Sequence, residues 1–155
     1  MNTELRRMMV EAEGRWLADA ELARLRDYAL ALPARLDAAR RLQAAEGIIL
    51  ARAGELFATR HAEYITRVPD AGTKVARDMA LTLRYLASAH VRADPEFFKK
   101  SYAAWIGQLL LALVASDVLI SGQECLRTAI EESLDPADAR AFVRFLDMFI
   151  EELSR

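Results

Sequence analysis

The sequence predicts an all-α protein, and three observations predict it. No segment alternates apolar and polar residues as a half-buried strand does. The 6 glycines and 4 prolines are few for 155 residues, and they fall where helices should stop or start. Apolar residues recur at spacings of three and four. Val75, Met79, Leu83 and Leu86 form one such stripe, and Phe142, Phe145, Phe149 and Leu153 form another.

The elements follow in order. A first helix is expected from Thr3 to Glu13, ended by Gly14. Asp19 reads as the cap of a second helix reaching about Ala31. Pro33 suits the first turn of a third, which runs to about Thr59 with a bend expected at Gly47. Tyr64 to Gly72, with Pro69 and Asp70, reads as a loop, and Thr73 as the cap of a helix to about Val91. Asp94-Pro95-Glu96 is a strong start: a capping carboxylate, a proline in the first turn and an acid near the positive end of the helix dipole. That helix is expected to reach about Asp117. Ser121-Gly122 is expected to open a shorter helix to about Ser133, and Asp135-Pro136 the last, to about Leu153.

Composition narrows the function. Hydrophobic residues make up 54% and charged residues 28%, so the chain can bury a core. One domain over residues 1–155 is expected. The net charge of -2 gives no pull toward nucleic acid, and no aromatic platforms interleave with basic residues. The apolar run from Ala103 to Ala115 is too short to span a bilayer. The N-terminus carries no signal-type apolar run, and the single cysteine, Cys125, offers neither a disulfide nor a zinc spacing. A cytoplasmic protein is expected, with Cys125 a small buried thiol.

The most informative stretch is the helix expected from Thr73. At 100° per residue, Lys74, Arg77, Leu81, Arg84 and Tyr85 share a sector, with Asp78 at its edge, opposite the apolar stripe. Three readings fit. The face is solvated charge, or the polar rim of a subunit contact, or a ligand site. In the last, the cations take carboxylates and Asp78 accepts from N–H groups.

Motifs then bring in a family. Lys74-Val75-Ala76-Arg77-Asp78-Met79 followed by Leu83-Arg84-Tyr85 resembles the chromophore helix of phycocyanins and allophycocyanins. Glu13-Gly14-Arg15-Trp16-Leu17, the stretch from Arg35 to Ala53, Leu119-Ile120-Ser121 and Phe145-Leu146-Asp147 align with that family in the same order. The resemblance covers nearly the whole chain. It implies a globin-like fold with two extra N-terminal helices: residues 1–31 pair subunits into a dimer and 33–155 form the body. Glu11 and Arg84 resemble an inter-subunit acid–arginine pair of that family. The resemblance also implies a linear tetrapyrrole (bilin) site, in which Asp78 contacts the pyrrole nitrogens and Arg77, with Lys74, Arg84 and Tyr85 on the same face, holds the propionates.

One departure stands out. Val75 occupies the position of the attachment cysteine, and a valine has no thiolate to form the thioether. The loop between Tyr64 and Lys74 is also shorter than is usual for the family. The expectation is therefore a phycobiliprotein-like protein without covalent chromophore. It would hold a bilin noncovalently or assist bilin metabolism. The alternative is a cofactor-free interaction module whose pocket is filled by Leu81, Tyr85 or Trp105. Haem ligation is not expected: His61 and His90 are the only histidines, neither aligns with a family ligand, and both read as surface or helix-end residues. No triad ordering, phosphate loop or metal motif is present, so no enzyme is expected.

Overall fold

A computed structural model describes residues 2–112 and 114–154 and contains no strand among them. The helices are α1 (Thr3–Glu11), α2 (Asp19–Leu30), α3 (Leu32–Arg60), α4 (Ala62–Arg67), α5 (Ala71–Arg92), α6 (Pro95–Phe98), α7 (Ala104–Leu111), α8 (Ser116–Ser133) and α9 (Pro136–Leu153). A π-helical segment, Lys99–Ala103, joins α6 to α7. The long α3 crosses both α5 and α8, and α9 closes the other side of the core. Phe57, Met79, Leu83, Phe98, Leu126, Phe142, Phe145 and Phe149 are all buried there.

The helix starts with local chemistry came out where the sequence put them. The Asp94 carboxylate accepts from the Phe97 N–H at 3.0 Å, and Asp135 accepts from the N–H groups of Ala137 and Asp138 at 3.1 Å. A carboxylate needs only its own next turn to do this.

Elements decided by packing differ from expectation. The first helix stops at Glu11, two residues early. The second is capped from behind: the Glu21 carboxylate accepts from the Ala18 N–H at 2.8 Å, while Arg15 grips it with two bonds of 2.7 and 2.8 Å. These bonds, the Arg15 contact foremost, hold the Glu21 carboxyl down at about 2. The third helix is uninterrupted at Gly47 and reaches Arg60, one residue past Thr59.

The expected loop at Tyr64–Gly72 is mostly helix, and only residues 68–70 lie outside one. His61 breaks α3 at φ -126°, ψ 44°, and α4 then runs to Arg67. Pro69 ends it by forcing Val68 into extended conformation. Asp70, at φ 58°, turns the chain into α5, which starts at Ala71 rather than at Thr73. The helix expected to run to Asp117 instead contains the π segment and ends at Leu111; Leu113, within that expected span, lies outside the described residues. Helix α8 begins at Ser116, so Ser121-Gly122 lies inside it. The buried face of Leu119, Leu126 and Ile130 outweighs the roughly 1 kcal/mol that an interior glycine costs.

His90 corrects another expectation. It lies in the last turn of α5, but it is buried with its ring 4.9 Å from that of Phe142. Burial pushes its pKa down, Arg144 of α9 and Arg35 of α3 push the same way, and Asp138 opposes them. Desolvation and two cations therefore win over the helix dipole. Below about pH 6.5 the unfolded chain takes up a proton on His90 more readily than the folded protein does. Stability is therefore fully present above that value and falls as pH drops through it. Urea midpoints between pH 7.5 and 5 should decline, and His90→Phe should flatten that decline; an equal decline in both proteins would contradict the assignment.

A candidate ligand cleft beside the fifth helix

A cleft of about 630 Å³ opens between α5 and the α7 helix, with α3, α4 and α8 behind it. Its α5 wall carries Lys74, Val75, Arg77 and Asp78 in succession, and Met79 and Leu81 continue it. The opposite wall is Tyr102, Trp105, Ile106 and Leu109. The floor includes Phe57, Leu119, Gly122 and Gln123. The cleft is therefore apolar, with its ionic groups gathered along one edge.

Those groups remain available to a ligand. Asp78 is half-buried, and Arg77, which is exposed, reaches it with contacts of 3.2 and 3.3 Å. A pair this exposed contributes little, about 0–1 kcal/mol, so a ligand carboxylate can compete for the guanidinium. Lys74 donates to the Pro69 carbonyl at 3.0 Å and stands at the lip. Two cations and one carboxylate leave this edge net positive.

The remaining two residues of the expected set lie elsewhere. Arg84 is turned toward α3, where it donates to Glu46 at 2.9 Å in a separate groove. Tyr85 sits behind the wall and stacks on Tyr102, ring centroids 4.4 Å apart. It thus touches the cleft only through its neighbour. Leu81 and Trp105 line the cleft without plugging it; Trp105 is 60% exposed.

Sequence reasoning missed Tyr102, Thr82 and Gln123. The Thr82 hydroxyl donates to the Asp78 carbonyl at 3.0 Å, and the Tyr102 hydroxyl lies 2.6 Å from the same Thr82 oxygen. With the threonine proton so used, Tyr102 is the donor. Burial pushes the Tyr102 phenol far above its ordinary range, with the Thr82 bond pulling the other way, so it stays protonated. This chain fixes the backbone of Asp78 against the π segment. A signal for Gln123 was present: it interrupts the apolar stripe of Leu119, Leu126 and Ile130.

The family model described as Phycobilisome protein matches residues 8–153. The chain belongs to that family. The all-α fold is accordingly the globin-like one of phycobiliproteins. A search of curated proteins finds no match to the chain. Phycobilisome proteins are structural light-harvesting proteins and usually carry bilin chromophores. Val75, which the resemblance sets at the attachment position, lines the cleft and has no thiol. Cys125 is no substitute. It is fully buried, it is not among the cleft residues, and burial pushes its thiol pKa up. The ionic edge, the apolar walls and the volume fit a bilin, and no residue lining the cleft carries a thiol. No helix among the described residues is long and apolar enough to cross a membrane.

Proposed function

We propose that this cleft holds a linear tetrapyrrole noncovalently and that the protein carries a bilin or assists in its metabolism. One observation carries the reading: Lys74, Arg77 and Asp78 stand together along the edge of an apolar cleft of about 630 Å³. Small-molecule sites span roughly 300–1,000 Å³ and combine apolar walls with a few converging polar groups. The two cations suit propionates. The Asp78 carboxylate suits pyrrole N–H groups and favours the protonated ligand. Open space beside Leu81 and Trp105 supports this reading over a cofactor-free module.

The test is spectroscopic. Purified protein mixed with biliverdin or phycocyanobilin should shift the visible absorption band. Asp78→Ala should bind about tenfold more weakly, the loss of one charge-assisted hydrogen bond. A free-bilin spectrum left unaltered by both proteins overturns the reading.

The same protein is read as a homodimer through its N-terminal helices. Helix α2 buries no residue, and Trp16, Leu22 and Leu30 are exposed, with Trp16 96% so. Glu11, also exposed, and Arg84 are then available for contact between copies. Sedimentation should give a dimer, and Leu22→Asp combined with Leu30→Asp a folded monomer. A monomeric wild-type protein contradicts this reading.

A further inference from the structure

Gln123 is 3% exposed, yet it lines the cleft. Its Oε1 is buried and has no hydrogen-bond partner among the described residues. Phe57, Met79 and Leu119, which share the inner cleft with it, have no proton to give. A buried acceptor without a donor destabilises a fold, because it has surrendered water and gained nothing in return. A leucine or methionine at this point of the apolar stripe would avoid that cost. The glutamine is accounted for if its partner arrives with a ligand.

The arrangement of the cleft says what that ligand offers. Lys74 and Arg77 are donors at the edge, and they select negative charge. Asp78 on the wall and Gln123 further in are acceptors. We infer that Gln123 Oε1 accepts a hydrogen bond from a ring N–H in the apolar body of the ligand. It is then a specificity residue, favouring ligands with an inner N–H over those with a bare carbonyl or ether oxygen there. This rests on the tetrapyrrole reading of the cleft.

The experiment pairs ligand binding with the stability of the ligand-free protein. Biliverdin is titrated into wild type, Gln123→Leu and Gln123→Met, and thermal unfolding of each is recorded without pigment. Both variants should bind biliverdin about tenfold more weakly. Both should also melt roughly 2–4 °C higher when free, because the orphan oxygen is gone. A residue with a purely structural role would move both readings downward together. Biliverdin binding equal to wild type in both variants overturns the inference alone, and means that water meets the oxygen. A lower melting temperature of both free variants overturns it as well. A wild-type protein that leaves the biliverdin spectrum unchanged overturns the tetrapyrrole reading and this inference with it.

Discussion

Tyr102→Ala is expected to destabilise the protein by about 3 kcal/mol, at the lower end of the range for removing a buried aromatic ring. The Tyr102 side chain is fully buried and packs on three rings, with centroids 4.4 Å from Tyr85, 5.0 Å from Phe149 and 5.4 Å from Phe98. Alanine forfeits these contacts and leaves Thr82 without the phenol that donates to it. The lower end applies because the vacated space opens onto the cleft, where water can enter and reduce the cavity cost. Tyr102→Phe keeps the ring and loses only the hydroxyl, at about 1 kcal/mol. Urea unfolding with unchanged slope measures both. A loss below about 1 kcal/mol for the alanine variant would mean that the ring stack does not hold the cleft wall. In that case the binding of biliverdin should be equally indifferent to the substitution.

The second large effect is expected at Asp94, which is 2% exposed at the corner between α5 and α6. Its carboxylate caps α6 through Phe97 and also accepts from the Thr3 N–H at 2.7 Å and the Thr3 hydroxyl at 2.8 Å. One side chain therefore serves the starts of two helices, reaching from Asp94 back to Thr3 across 91 residues of sequence. Asn2 reinforces the joint by donating to the Ala93 carbonyl at 3.3 Å. Ala93 itself sits at φ 49°, and the Asp94 N–H bonds back to the Ala89 carbonyl at 3.1 Å, closing a Schellman turn without its usual glycine.

Burial pulls the Asp94 carboxyl up, but the bonds from Phe97 and Thr3 outweigh it and hold it below its ordinary value. Its stabilisation is present above the usual carboxylate range and is lost as pH falls through the lowered folded value. Asp94→Ala should cost about 2–3 kcal/mol, the sum of two lost caps and one hydroxyl bond. Amide exchange should then quicken throughout α1, while α8 and α9 change only by the global loss. Exchange in α1 that quickens no more than in α9 would show that Asp94 does not hold the first helix, leaving that to the burial of Leu5 and Met8 and to the Asn2 bonds.

What could be read from the chain alone follows from the reach of each interaction. The capped starts at Asp94-Pro95 and Asp135-Pro136 were legible because a side-chain oxygen and the N–H groups it satisfies lie within one turn. The stripes on α5 and α9 were legible because burial repeats with the helix period. The ionic face was legible as an angle only. Arg77 and Arg84 nearly eclipse each other in projection, yet seven residues advance about 10 Å along the axis. One therefore lines the cleft, and the other crosses to Glu46 on α3.

Tertiary structure alone decided the rest. The helix at Ala62–Arg67, the π segment at Tyr102 and the uninterrupted α8 are answers to what lies across the core, not to neighbours in sequence. The same holds for the chemistry. Gln123 reads as one polar residue in an apolar stripe until packing seals it beside a cavity. His90 reads as a helix-end cation until Phe142 and two arginines surround it. Local hydrogen bonding and periodic burial are written into a sequence, whereas desolvation depends on groups that only folding brings together.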